Sequence, residues 1–286
     1  MLVLLGTIIV LLFVGGLPAF RAFGAGFLTS SAWNPVTNHF GALVSVYGTV
    51  VSSILALIMA VPLAFGVAFF LTELAPGWMR RPVGTAIELL AAVPSIIYGM
   101  WGFFVLAPLI GTTIKPWLAS TLGHVPVIGD VFRAIPGDSS IFTAALVLAV
   151  MITPFIAATM RDVFLTVPVI FKESAFGLGC TPWEVVWSVV LPTTRASVIG
   201  GIMLGLGRAL GETMAVTFVI GNTNRINPSI FAPGNTIASL VALEFPEAES
   251  GSLQLSSLLA LGFILFVISF IVLAISRMLL PQRGRV

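Results

Sequence analysis

The sequence predicts an all-α membrane protein with six transmembrane helices, and three observations carry that prediction. Hydrophobic residues fill 58% of the 286 positions and charged residues only 8%, a composition outside the range of soluble domains. Six apolar stretches, near 1–20, 46–71, 87–110, 141–161, 197–221 and 256–280, are each long enough to cross a bilayer as a helix. The basic residues gather on alternate loops, as the positive-inside rule requires.

The first stretch begins directly in apolar sequence, Met1 to Leu17, without the basic start and small-residue cleavage site of a signal peptide, so it is expected to be a retained helix. The second carries Pro62 and the third Pro94 and Pro108, kinks that a helical bundle tolerates. With the loop between the fourth and fifth spans inside, the cytoplasmic set of cations is Arg80, Arg81, Arg161, Lys172, Arg195, Arg277, Arg283 and Arg285. The outer set is Arg21, Lys115, Arg133 and Arg225. That asymmetry places both termini in the cytoplasm. Three outer connections, about 21–45, 111–140 and 222–255, are rich in Pro, Gly, Asn and aromatic residues, and the last ends in Glu244, Glu247 and Glu249. They suit docking of another protein or plain solvation. The chain, 1–286, is expected to form one transmembrane domain with no separate soluble part.

Several function classes are excluded. A net charge of +2 is too small to imply nucleic-acid binding. The single Cys180 rules out an intrachain disulfide and a multi-cysteine metal site, and His39 and His124 sit in separate loops without metal-ligand spacing. The two lysines lie in Lys115-Pro116 and Lys172-Glu173, so no Gly-Lys-Ser/Thr phosphate loop exists and the chain cannot hydrolyse ATP by that machinery. No cofactor or metal is expected on it.

Between the fourth and fifth spans lies a loop over 171–192 that reads as a mechanical part. A short helix from about Phe171 to Leu178 is expected to stop at Gly179, which tolerates the left-handed turn that closes a helix. Thr181 then begins a second: Thr-Pro-Trp-Glu supplies an N-cap, Pro182 at the first helical position, and Glu184 to complete a capping box. Leu191-Pro192 is expected to end that helix. The knob would expose Phe176, Trp183 and Trp187, apolar anchors for a partner's groove.

The fifth span holds the costliest side chains. Arg208 and Glu212 lie within the apolar stretch from Val198 to Ile220, and a charge at the bilayer centre costs roughly 3 kcal/mol on insertion scales. In a continuous helix the two fall one turn apart on one face, about 6 Å along the axis. One reading is an ion pair that locks helix packing. The other is a gate or transient site for an anion, because arginine offers several donors matched to a tetrahedral oxyanion. A carboxylate beside it accepts a proton from hydrogen phosphate, and sulfate has none to give, so the pair favours phosphate in principle. Gly201 with Gly205, and Gly207 with Gly211, form small-xxx-small pairs that permit close helix approach. Glu73 and Glu88, around Arg80-Arg81, read as interfacial salt-bridging or solvated residues. Ser95 and Tyr98 are candidates to line the path, with packing as the alternative for Tyr98.

The 171–192 loop resembles the EAA loop of binding-protein-dependent ABC importer permeases: Glu173-Ser-Ala175, three residues, Gly179, nine residues, then Val189-Val-Leu191-Pro192. Ser174 and Val189 are its mild departures. The run Gly207-Arg-Ala-Leu-Gly-Glu-Thr-Met-Ala-Val216 resembles the fifth-helix motif of the phosphate-importer permeases, and Trp33-Asn-Pro, Tyr47-Gly-Thr, Ala60-Val-Pro-Leu-Ala, Pro94-Ser-Ile-Ile-Tyr-Gly99, Ala238-Ser-Leu and Glu244-Phe agree with them. The resemblance implies a type I ABC importer permease fold in the bacterial inner membrane. It also implies a heterodimer with a sister permease (PstA), two copies of an ATPase (PstB) that bind ATP and Mg, and a binding protein (PstS) that delivers phosphate. Arg208 and Glu212 map onto its translocation residues, and Glu173, Ala175, Gly179, Trp183, Glu184, Leu191 and Pro192 onto the ATPase-coupling loop.

Three rivals remain open at this point, one of them a structural membrane scaffold in which Arg208 serves packing alone. A permease for another oxyanion, sulfate or molybdate, shares the loop but does not need a proton acceptor at 212. A stand-alone secondary transporter or anion channel moves substrate without an ATPase and has no use for the knob.

Overall fold

A computed structural model describes residues 2–123, 129–133 and 135–279. His124, Arg283 and Arg285 lie outside the described residues. Among the described residues, six helices are long and apolar enough to cross a membrane: Val3–Phe23, Leu43–Leu74, Ser95–Thr121, Ile141–Leu165, Pro182–Leu210 and Leu253–Ser276.

In chain order the helices are α1 (Leu2–Phe23), α2 (Gly26–Thr29), α3 (Leu43–Phe69), α4 (Gly77–Ala91), α5 (Ser95–Trp101), α6 (Ala107–Leu109), α7 (Lys115–Leu122), α8 (Ile141–Leu165), α9 (Val169–Gly177), α10 (Pro182–Val185), α11 (Leu191–Leu210), α12 (Met214–Val219), α13 (Ile237–Glu244) and α14 (Leu253–Leu279). A two-stranded hairpin, β1 (Trp33–Asn34) and β2 (His39–Phe40), pairs antiparallel with Trp33 opposite Phe40.

The third span starts later than its apolar sequence suggests. Residues 77–91 form the separate helix α4, and the chain leaves it before Pro94, because the residue ahead of a proline is pushed away from helical angles. Pro108 and Pro192, by contrast, do not stop their helices. Each follows a π-helical turn, Gly102–Leu106 and Val186–Val190, in which the amide just past the turn donates to the carbonyl five residues back. The wider turn accommodates a ring that would otherwise strike the carbonyl of the preceding turn. Ile110–Ile114 before Pro116 repeats the device, and Pro62 and Pro154 sit inside α3 and α8 without it. Phe70–Leu74 is a π turn that instead ends its helix, since Ala75 and Pro76 are extended. The expectation that Leu191-Pro192 ends a short helix is therefore corrected. The hydroxyls of Thr193 and Thr194 donate to the carbonyls of Val189 and Val190, and α10, the π turn and α11 run on as one span.

The chain forms two compact units. The first comprises Met1–Leu55, Ser95–Leu148 and Leu210–Phe270. In it α1 meets α14 closely: a Cβ added at Gly16 would lie 2.9 Å from the Cα of Ala260, and Phe13 and Phe20 pack on Phe263. Phe27, Phe40, Ile237, Leu240, Leu258 and Leu261 form a buried cluster nearby. The Trp33 indole N–H donates to the Glu244 carboxylate at 2.8 Å and Gln254 donates to it at 3.0 Å, so Glu244 ties the hairpin to α13 and α14. Lys115, counted among the outer charges, is 3% exposed, and its ammonium donates to the Gly137 carbonyl at 2.6 Å and the Phe231 carbonyl at 3.4 Å.

Gly48 on α3 allows the backbone of Asn235 to approach, and an added Cβ would collide with that carbonyl. Asn235 cannot yield freely, since its side chain bonds Asn224 and Ser239 while the neighbouring Ile237 amide donates to Thr49. Overpacking of this kind costs about 1–3 kcal/mol. Gly48→Ala should lower the thermal midpoint of the purified protein, whereas Gly66→Ala, whose Cβ meets nothing within 4 Å, should not.

The second unit comprises Ala56–Pro94, Ala149–Ala209 and Ile271–Val286. Ile152, Ile156, Met160 and Phe164 of α8 are its buried spine. Gly201 and Gly205 let α11 close on that spine: an added Cβ would stand 2.8 Å from Thr159 and 2.6 Å from Ile156. This is the close approach expected of the first glycine pair.

Candidate functional site

The loop after α8 is built as its sequence dictates at both helix ends. α9 closes through Gly179, which takes φ +90°, a conformation that only glycine adopts without strain. Thr181 caps α10: its hydroxyl accepts from the Glu184 amide, the Glu184 carboxylate accepts from the Thr181 amide at 2.7 Å, and Pro182 occupies the first turn. Glu173, Gly179, Glu184 and Pro192 are exposed, Leu191 is half-buried and Ala175 is buried.

The aromatic anchors are only half available. Phe176, Trp183 and Trp187 are 42%, 50% and 53% exposed, but Trp183 packs edge-on against Phe69 at 5.3 Å and Phe65 at 6.1 Å, and Trp187 also leans on Phe65. Lys172 of α9 reaches Glu73 at 2.6 Å, with the two side chains 13% and 6% exposed. The loop is therefore fastened to the end of the second span by one ion pair and one aromatic cluster. The sequence marks Glu73 as a salt-bridging or solvated residue but cannot supply its partner, 99 positions away. Glu88 likewise pairs with Arg161 at 2.6 Å rather than with Arg80 or Arg81.

Arg208 and Glu212 do not share a helix. α11 ends at Leu210, Gly211–Thr213 are non-helical, and α12 starts at Met214. The geometry of one turn on one face is thereby overturned, because Gly211 favours a helix end and Glu212 serves the next one by accepting from the Ala215 amide at 3.3 Å. The ion pairs among the described residues are Arg161–Glu88, Arg161–Asp162 and Lys172–Glu73; neither Arg208 nor Glu212 belongs to one. Arg208 occupies the last turn of α11, half-buried, with its guanidinium carbon 5.9 Å from the centre of the Phe155 ring. A cation is favoured both there, at a helix C-terminus, and over an aromatic face. A break in backbone hydrogen bonding within a membrane span is tolerated where it is buried in protein or lines a water-filled path.

Ser95 and Tyr98 lie one turn apart on α5, both half-buried. α5 packs on α12 through Gly99, where an added Cβ would stand 2.8 Å from the Cα of Ala215. The structure thus sets the helix bearing Ser95 and Tyr98 directly against the helix that Glu212 precedes.

Six membrane spans, a capped two-helix loop strapped to the second span and a fifth span that carries a cation in its last turn and a carboxylate in the non-helical stretch beyond it define a membrane permease subunit. The chain belongs to the family of binding-protein-dependent transport system inner membrane components, whose model matches residues 60–285, and within it to the PstC permeases. The phosphate transport system permease protein PstC of Mesorhizobium japonicum is 55% identical over 281 residues, 98% of this chain and 86% of that protein. Its counterpart in Pasteurella multocida is 57% identical over 279 residues, 98% and 87% of the two. Among solved structures, the inward-facing MetNI methionine ABC transporter superposes with a TM-score of 0.56 at 16% identity, over 82% of this chain and 94% of that one, a likeness of fold.

Proposed function

We propose that the chain is the membrane-spanning subunit of an ATP-driven phosphate importer and forms the translocation path with a sister permease by alternating access. The carrying observation is the 55% and 57% identity to PstC proteins over nearly the whole chain. The chain acts as one permease domain with both termini in the cytoplasm, and the segment 171–192 docks the ATPase. The sister permease is PstA, the ATPase is PstB in two copies holding ATP and Mg, and PstS brings phosphate to the outer connections. The chain itself breaks no bond.

Arg208, in the last turn of α11, and Glu212, in the non-helical stretch that follows it, do the chemical work of passage. The guanidinium offers charge-assisted hydrogen bonds to a tetrahedral oxyanion, and the carboxylate accepts a hydrogen bond from the P–OH of hydrogen phosphate, which keeps its proton. Ser95 and Tyr98 contribute hydroxyls to the same path. Nucleotide binding shifts the equilibrium between inward and outward states by binding one of them more tightly, and α9 carries that shift to the second span through Lys172 and Glu73.

Cells lacking their own high-affinity phosphate system, given this chain with its cognate partners, should take up labelled phosphate with no competition from excess sulfate. Glu212→Gln should erode that discrimination. Sulfate uptake by the assembled wild type would reassign the substrate.

A further inference from the structure

The second unit carries a basic pocket of about 350 Å³ whose lining includes none of Arg208, Glu212, Ser95 and Tyr98. Arg80, Arg81 and Arg161 line it against a single carboxylate, Glu88, and its apolar wall is Leu71 and Leu165. Arg161 is already held by Glu88 and Asp162. Its guanidinium lies against α4 only because residue 84 is glycine, where an added Cβ would collide with it. Arg80 uses its Nε on the Ala75 carbonyl, and Arg81 has no hydrogen bond to any described residue. The terminal nitrogens of both therefore remain to bind an anion.

A second pocket of about 570 Å³ shares Leu71 with the first. Leu63, Gly66, Val67 and Phe70, a helical stripe along the second span, face Val83 and Ile87 of α4 across it. A cationic niche that opens into an apolar trough along a membrane helix has the profile of one kind of molecule, an amphiphile with an anionic head. Free inorganic phosphate would satisfy the arginines but leave the trough empty. Basic pockets beside membrane helices hold lipid phosphates by the same charge complementarity.

We propose that this pair of pockets is a binding site for an anionic glycerophospholipid, with its phosphate on Arg80 and Arg81 and an acyl chain along Gly66. The purified transporter complex containing this chain is incubated with bicelles of equimolar phosphatidylglycerol and phosphatidylethanolamine, and the lipids it retains are counted by native mass spectrometry. The wild type should retain phosphatidylglycerol in preference. Arg80→Gln/Arg81→Gln should lose the preference between headgroups. Gly66→Leu should lose retention of either lipid, because residue 66 lines the trough and an added Cβ there meets nothing within 4 Å, and leucine strengthens the helix. Retention unchanged in Gly66→Leu overturns the proposal even where the double variant fails to assemble. Displacement of the lipid signal by excess inorganic phosphate overturns it in favour of a phosphate site.

Discussion

Arg208→Gln should abolish phosphate uptake while the transporter still assembles in the membrane. A bidentate guanidinium contributes at least two charge-assisted hydrogen bonds to a phosphate, each of about 1.5–3 kcal/mol. Their loss raises the barrier to passage by roughly 3 kcal/mol or more, about a hundredfold in rate. The structural penalty is smaller. Glutamine keeps the helix propensity of arginine, and the contact over Phe155 is worth about 0.5–2 kcal/mol. Arg208→Lys restores the charge without the planar fork and should recover part of the uptake. The measurement is labelled phosphate uptake set against the amount of assembled complex. If Arg208 serves packing alone, both variants transport like the wild type and differ from it in thermal midpoint.

What the sequence made legible follows from how local each feature is. Six spans could be read because length and apolarity are properties of one segment at a time, and the capping box at Thr181 because a cap is settled within four residues. Gly179 was legible for the same reason. The continuity of the helix through Pro192 was not, since a π turn is a response to a proline rather than a pattern with its own composition. The break after Leu210 was hidden by an ambiguity of glycine: Gly201, Gly205 and Gly211 read alike, yet the first two admit α8 and the third follows a helix end. Lys115 looked like a surface cation, and only tertiary structure supplies the Gly137 and Phe231 carbonyls that hold it. For the candidate site, the residue identities were visible in the sequence, and the contacts of Arg208 with Phe155 and of Glu73 with Lys172 were not.

Lys172→Ala should sever ATP hydrolysis from transport and destabilise the protein together. It leaves the Glu73 carboxylate, 6% exposed, without its counter-charge, and breaking a buried pair this way costs about 3–5 kcal/mol. Glu73→Ala strands the ammonium instead and should do similar damage. The exchange Glu73→Lys/Lys172→Glu should recover part of both properties, because the pair is re-formed with its sign reversed. The decisive variant replaces both residues by methionine. Apolar residues of similar volume often match or exceed a buried ion pair in stability, so the thermal midpoint of the purified complex should stay near that of the wild type. Transport per ATP hydrolysed should nevertheless fall, since the electrostatic tie between α9 and the second span is gone and the aromatic contacts of Trp183 and Trp187 with Phe65 and Phe69 are left to hold the loop. A double-methionine variant that couples like the wild type would assign force transmission to the aromatic cluster and leave the ion pair a purely structural clasp.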